Sequence, residues 1–146
     1  MAETPINPST MALAERAADL SSELHTLLES CPWAEENVES VGSEVAMLGV
    51  TLWRLHDAMI EDPKRYTKSF SQDLAELSLE VHLVFEEITT CCKTLQKSES
   101  STGNVIGWVF KKTKGHNLVK HLVALKTTLA VMRTVLQHGR EYGNQV

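Results

Sequence analysis

Long apolar runs are missing from this sequence of 146 residues. A membrane-spanning helix needs ~20 consecutive apolar residues, whereas no run here exceeds six residues, the length of VIGWVF at 105–110. The first ten residues, MAETPINPST, also lack the basic head and apolar run of a signal peptide. Cys31, Cys91 and Cys92 form no even framework and no CxxC pair, which favours a reducing compartment. We therefore expect a cytoplasmic location.

Motifs that carry catalysis are missing as well. The sequence contains no HExxH, ExxH, GxSxG, GxGxxG or GxxxxGK[ST], and no two of its six histidines stand four residues apart. The candidate nucleophiles are two cysteines without an evident activating base: Cys91, on a helical core stripe, and Cys92 beside it, which could be partly exposed. The sequence therefore predicts no enzyme, no metal site and no cofactor.

The period-2 alternation of β-strands and the glycine-rich signals of hairpins are also absent. Instead, apolar residues recur every three or four positions in four long segments, as in helices that pack in a bundle. The clearest such stripe is Val38, Val41, Val45, Leu48, Leu52, Leu55 and Met59. Gly42 and Gly49 interrupt the same segment and would permit close approach of a neighbouring helix. The predicted fold is all-α, an antiparallel bundle of four long helices plus one short helix.

Capping and breaking residues set the predicted boundaries. The predicted ranges are a flexible tail at 1–8, a single domain at 9–139 with helices over 9–30, 33–61, 69–97, 104–112 and 116–139, and a frayed C-terminus at 140–146. Ser9 or Thr10 is expected to cap the first long helix, and Ser69 or Ser71 the third. Gly115 is expected to break the chain before the last helix.

The stretch Val105–Gln137 contains the last of these apolar patterns. Its principal stripe is Leu118, Leu122, Leu125, Leu129, Met132 and Leu136, at the spacing of a helix in a bundle. The stripe is widened by Val119, Val123, Val131 and Val135. Because a helix that is apolar over more than one face usually touches more than one neighbour, this helix is expected to be the central and most buried element.

Charge is distributed unevenly along the chain. Residues 1–62 carry 12 Asp and Glu against 2 Lys and Arg, whereas residues 63–146 carry 7 against 12. No acid occurs between Glu99 and Glu141. A basic last third can mark a surface for anionic lipid or an acidic partner, or it can simply neutralise the acidic first half within the fold. The overall charge of −5 argues against a nucleic-acid partner.

One aromatic residue stands beside a cluster of cations. Trp108 is followed by Lys111, Lys112 and Lys114, and this combination resembles an interfacial anchor that tolerates lipid headgroups. In the alternative interpretation, Trp108 and Phe110 close the open end of the bundle as core residues. The four residues Trp108, Lys111, Lys112 and Lys114 are the predicted partner- or lipid-contact site.

Three segments together resemble a known family of helical domains. They are SEVAMLGVTLWRL over Ser43–Leu55, YTKSFSQDLAELSLEVHLVFEEI over Tyr66–Ile88, and the Trp–basic–Leu ending formed by Trp108, Lys111, Leu122, Leu125, Lys126, Leu129, Met132 and Leu136. In this order they resemble the HeLo-like N-terminal domain of fungal STAND (NLR-like) proteins, over roughly Leu13–Gln137. Members of that family usually begin with an apolar, Gly- and Ala-rich helix that is missing here, so the resemblance does not imply a pore-forming role.

The resemblance implies a non-enzymatic signalling domain, at the head of a fungal immune-type receptor or acting alone in programmed cell death. Such a domain would work by binding a partner helix or by self-association, including as a homo-oligomer. Two alternatives remain open. The basic last third could dock on anionic membrane, which would place the protein at a membrane periphery, or the bundle could carry a small apolar ligand between its helices.

Overall fold

Four α-helices make up nearly all of the residues that the computed structural model describes, which are 9–30, 35–61, 67–97 and 112–144. They are α1 (Thr10–Ser30), α2 (Glu35–Glu61), α3 (Lys68–Lys97) and α4 (Lys112–Asn144). No strand occurs within these ranges. The predicted all-α bundle of four long helices is therefore confirmed, while the predicted short helix at 104–112 lies outside the described residues except for its last position.

The first turns of α1 and α3 are fixed by hydroxyl side chains. The amide of Ala12 donates to Ser9 Oγ at 3.0 Å, which makes Ser9 the cap of α1, one of the two residues expected there. In α3 the amide of Phe70 donates to Thr67 Oγ1 at 3.1 Å. The prediction that Ser69 or Ser71 caps α3 is therefore wrong, because the Thr67 hydroxyl already accepts from the first turn and the serines become part of the helix.

The helix α4 is longer than predicted at both ends. It begins at Lys112 and continues through Gly115, where a break was expected, and it ends at Asn144 rather than near Gly139. A glycine inside a helix costs only about 1 kcal/mol relative to alanine. The packing of the apolar stripe that begins at Leu118 can offset a penalty of that size.

The helix α2 is the central element of the bundle. It makes extensive contacts with α1 on one side and with α4 on the other, whereas α3 contacts α1 and, over a smaller area, α4. Its inward residues are completely buried: Val38, Val41, Val45, Leu48, Leu52 and Leu55. The prediction that the last helix is central and most buried is therefore wrong. Three valines of α4 that widen its stripe are exposed: Val123, Val131 and Val135.

Two glycines of α2 lie against α1, and the pairing shows that these helices run antiparallel. A Cβ built on Gly49 would come within 2.9 Å of Ala17 Cβ, whereas one built on Gly42 would meet Leu24 Cβ at 3.6 Å, an ordinary contact. Gly49 therefore allows a closer approach of the two helices than any larger residue would. The Ser21 hydroxyl donates to the Gly42 carbonyl at 3.2 Å across the same interface.

We expect alanine substitutions at the two glycines to change the free energy of unfolding in opposite directions. Gly49→Ala should lower the free energy of unfolding by about 1–2 kcal/mol, since overpacking costs about 1–3 kcal/mol and outweighs the gain of about 1 kcal/mol in helix propensity. Gly42→Ala should raise it by up to about 1 kcal/mol. Urea denaturation followed by circular dichroism measures both, and equal effects of the two substitutions would contradict the close approach at Gly49.

Candidate interaction surfaces

The predicted contact site falls largely outside the described residues. Trp108 and Lys111 are not among them, and Lys112 and Lys114 are described only as backbone in the first turn of α4. The Trp–Lys contact site therefore stays a prediction. Within the described ranges, the exposed side chains of α3 and α4 form two surfaces of contrasting chemistry.

The outer face of α4 is the first of these surfaces, and it has no charge. Its members are the exposed residues between Lys120 and His138, namely Val123, Ala124, Thr127, Thr128, Ala130, Val131, Thr134 and Val135. Val131 is 55% exposed and Val135 is 59% exposed. Because the spacing of three and four residues repeats through the set, these side chains form one continuous strip along the helix.

The hydroxyl groups of three threonines in this strip have hydrogen-bond acceptors within α4 itself. The hydroxyls of Thr127, Thr128 and Thr134 donate to the carbonyls four residues earlier, at 2.8, 2.9 and 3.0 Å respectively. Since those hydroxyls already have acceptors in the helix, the outer face of α4 behaves as an apolar and β-branched surface rather than a polar one.

Two polar side chains of α4 that border the strip contact neighbouring helices. Lys126 donates to Glu44 of α2 at 3.0 Å, and their side chains are only 22% and 18% exposed. His121 Nε2 lies 2.9 Å from Glu80 of α3. Arg133 Nε is buried and has no hydrogen-bond partner among the described residues. These contacts leave the centre of the outer face without charge.

The acidic face of α3 is the second surface, and we define it by Glu76, Leu79, Glu80, Leu83, Glu86 and Glu87. All six residues are exposed, and the two leucines, one helical turn apart, are 46% and 58% exposed respectively. Between Lys68 and Lys93 the helix has five acids, the four glutamates of this face and Asp73, but no Lys or Arg. The result is an apolar centre surrounded by negative charge.

One edge of the acidic face is held against α1 by a polar cluster. The Arg16 guanidinium donates to His82 Nδ1 at 3.1 Å, to Thr89 Oγ1 at 3.4 Å and to the Glu86 carboxylate. That hydrogen bond and the positive charge of Arg16 hold the pKa of Glu86 below its ordinary value. The acid therefore stays ionised, and Arg16 fixes it in position at the edge of the face.

A groove lies between α1 and α2 in the described part of the chain. It has a volume of about 250 Å³. Its lining residues are Ser21, His25, Leu28, Glu39, Gly42, Ser43 and Ala46. Because the groove is open to solvent and four of these side chains are polar, it suits an apolar cargo poorly. The carrier hypothesis stays a prediction without support from this groove.

The cysteines of α3 are core residues. Both Cys91 and Cys92 are buried, so the partial exposure of Cys92 that the sequence left open does not occur. Burial raises the pKa of the Cys92 thiol to about 12, with smaller contributions from Glu23 and Cys91. A thiol in that environment stays protonated at neutral pH and is a poor nucleophile. It acts as a small apolar filler beside Ile88.

Metal binding and membrane spanning find no support in the described part of the chain. No three His, Cys, Asp or Glu side chains there form a group that could hold a metal ion. None of the described helices combines the length and hydropathy that crossing a bilayer requires.

The sequence indicates one of the two surfaces more clearly than the other. It predicts the valines of α4 as a widening of the apolar stripe, but as part of a central, buried helix. Leu79 and Leu83 lie off the α3 stripe of Leu74, Leu77, Val81, Val84 and Ile88, and their spacing of four residues between glutamates was the available signal. Comparisons with protein-family models, curated proteins and solved structures gave no match.

Proposed function

We propose that this chain is a non-enzymatic helical interaction domain that self-associates through the outer face of α4. The observation that supports the proposal is the charge-free strip between Lys120 and His138, in which Val131 and Val135 are more than half exposed. A face of this kind on a helix of 33 residues fits the packing of one helix against another.

The chemistry of the strip favours a second helix as its occupant. Burying it removes no charge from water, so the desolvation penalty is small. Valine and threonine have few side-chain rotamers to lose, so ordering them on association costs little entropy. Burial of the apolar area contributes about 25 cal/mol per Å². A second copy suits the strip because two uncharged faces meet without like-charge repulsion.

The resemblance to HeLo-like domains supports the same class of function from the sequence alone. In that interpretation the domain signals from the cytoplasm in programmed cell death, as the N-terminal module of a fungal NLR-like receptor or by itself. Trp108, Lys111, Lys112 and Lys114 would then form a further contact at the N-terminal end of α4. This part of the proposal rests on the motifs of Ser43–Leu55, Tyr66–Ile88 and the Trp–basic–Leu ending.

The double substitution Val131→Glu/Val135→Glu tests the proposal. It should abolish self-association without unfolding the domain, because exposed helix positions tolerate glutamate while a buried helix contact does not tolerate two unpaired carboxylates. Sedimentation velocity over a range of protein concentrations measures the association. We expect the average mass of the original protein to rise with concentration and that of the double variant to stay monomeric.

Ile60→Glu provides the matched control. Ile60 lies on α2 and is 61% exposed, so the substitution places a carboxylate on a comparably exposed aliphatic position of a different helix. It should leave the association unchanged, and circular dichroism should show equal helix content in all three proteins. A protein that stays monomeric at every concentration, or an Ile60→Glu variant as defective as the double variant, would show that the outer face of α4 does not mediate self-association.

A further inference from the structure

We infer that the outer face of α4 packs on an apolar surface of a second copy that spans α1 and α2. This surface, the α1–α2 face, consists of the exposed residues Met11, Ala18, Ala46, Val50 and Trp53. The inference rests on the proposed self-association through α4 and adds the surface that receives it. The contact is then heterologous, with two different faces on every copy, rather than a symmetric pairing of two α4 helices.

The α1–α2 face continues the groove between these two helices. Ala46 lines the groove, and Val50 and Trp53 lie one and two turns after it on the same side of α2. On α1, Met11 and Ala18 lie two turns apart on one side of the helix. All five residues are exposed, so they lie on the side of the two helices that faces away from the core.

The register of α1 and α2 brings the two parts of this face together. Gly49 of α2 lies against Ala17 of α1. Because the helices are antiparallel, Trp53, one turn after Gly49, lies beside the turn of α1 that precedes Ala17, between Ala18 and Met11. The absence of a side chain at Gly49 allows the helices to approach closely, so the two parts form one shallow surface.

Three large apolar side chains give the α1–α2 face its area: Met11, Val50 and Trp53. The ring of Trp53 makes an edge contact with His56, with the ring centroids 6.0 Å apart, so part of its freedom is already lost before association. Ile60, near the end of α2, lies beyond the first residue of α1 in this register and is not part of the face.

The helices that carry the two faces have opposite net charge. Helices α1 and α2 contain ten Asp and Glu against two Lys and Arg, whereas α4 contains six Lys and Arg against one Glu. A symmetric contact would place two basic helices side by side. Packing α4 on the α1–α2 face instead places a basic helix against two acidic ones, and such complementarity favours one partner surface over another.

Ion pairs within one copy do not remove this difference. Arg16 of α1 pairs with Glu86 of α3, and Lys126 of α4 pairs with Glu44 of α2. Without these four residues, α1 and α2 still contain nine acids against one base, and α4 contains five bases against one acid. The complementarity concerns the net charge of whole helices, so it does not require any carboxylate to lack a partner.

The acids nearest to the α1–α2 face lie at its border. Glu15 lies one turn after Met11, and Asp57 lies one turn after Trp53, while Arg54 is the base beside them. The acidic face of α3 differs, because its two leucines lie among four glutamates on a single helix. An uncharged strip packed there would displace water from those carboxylates. A surface across two helices also gives a helix a groove to pack into.

A carboxylate in the α1–α2 face tests the inference. Val50→Glu should weaken self-association by about tenfold or more, because the exposed position tolerates glutamate but the contact with α4 would bury it unpaired. Ala18→Glu, on the other helix of the face, should have the same effect. Leu83→Glu on α3 is the matched control, since Leu83 is exposed to a similar degree as Val50, and it should leave self-association unchanged. Sedimentation velocity measures all four proteins, and circular dichroism checks that their helix content is equal.

A mixture of two defective variants distinguishes the heterologous contact from a symmetric one. Val50→Glu keeps an intact outer face of α4, and Val131→Glu/Val135→Glu keeps an intact α1–α2 face. Each variant should be monomeric alone. Their equimolar mixture should form a complex with one copy of each that grows no further, because it contains a single intact pair of faces.

The outcomes separate this inference from the proposed function. If Val50→Glu or Ala18→Glu associates as well as the original protein, the α1–α2 face is not the receiving surface, and self-association through α4 still stands. If both components of the mixture are monomeric alone and remain monomeric together, the heterologous contact is overturned. An original protein that is monomeric at every concentration would overturn the proposed function and this inference with it.

Salt gives an independent measurement on the original protein. Raising the NaCl concentration from about 50 mM to about 500 mM screens the attraction between acidic and basic helices, so self-association should weaken. Two basic helices in contact would repel each other less as salt is added. Self-association that strengthens with salt would therefore overturn the heterologous contact.

Discussion

Replacement of Phe85 by alanine should lower the free energy of unfolding by about 3–5 kcal/mol, the usual range for truncating a buried aromatic residue. Phe85 is the largest fully buried side chain among the described residues and belongs to the hydrophobic core. It lies on α3, which makes fewer contacts with the rest of the bundle than α1 or α2 does. The attachment of α3, and of the acidic face that it presents, should therefore depend strongly on this one side chain.

Phe85→Leu distinguishes the effect of lost apolar volume on stability from the effect of the lost aromatic ring. Leucine keeps much of the apolar contact, so this variant should lose less than about 2 kcal/mol. Urea denaturation followed by far-ultraviolet circular dichroism gives both values. Equal losses for leucine and alanine, or a loss below about 1 kcal/mol for alanine, would contradict close packing around Phe85.

The central stripe of the bundle was predictable because its residues obey one simple rule. Val38, Val45 and Leu52 follow the spacing of a single helix face, and the structure buries all of them completely. The spacing of the apolar residues identifies the face of the helix from which they project. In α2 this face packs against the core along the whole stripe. Ser9 was predictable for a similar reason, since the cap of α1 depends only on local backbone amides.

The arrangement of the helices was not predictable, because periodicity does not say how many neighbours a helix has. Val131 and Val135 widen the α4 stripe, and in a central helix they would be buried. They are exposed because α2 occupies the centre of the bundle and only a small part of α3 reaches α4. The central position of α2 therefore explains both why the predicted burial of these valines is wrong and why they form an exposed surface on α4.

Local interactions explain the remaining differences between the predicted and the observed helix boundaries. Thr67 caps α3 although two serines follow it, because the first hydroxyl that reaches a free amide fixes the start of the helix. Gly115 does not end a helix whose packing begins three residues later at Leu118. Leu79 and Leu83 lie on the face opposite the α3 core stripe, so the periodicity of that stripe does not predict them.

Breaking the ion pair between Glu44 of α2 and Lys126 of α4 should also cause a large loss of stability. Lys126→Met should lower the free energy of unfolding by about 2–3 kcal/mol, because the Glu44 carboxylate loses the ammonium that compensates it. Both side chains are about four-fifths buried, so the loss should exceed the ~0–1 kcal/mol of an exposed pair and fall below that of a fully enclosed one.

A double-mutant cycle tests whether the pair itself contributes net stability. Glu44→Met should also destabilise, since it leaves Lys126 without its carboxylate, but Lys126→Met/Glu44→Met should recover most of the loss because two apolar side chains then meet at the interface. We therefore expect a coupling free energy of about 1–3 kcal/mol from urea denaturation of the four proteins. Additive losses would mean that the two residues act independently. If the double variant is as stable as the original but self-associates less, the ion pair contributes by fixing the rotation of α4, which determines the residues that form its outer face.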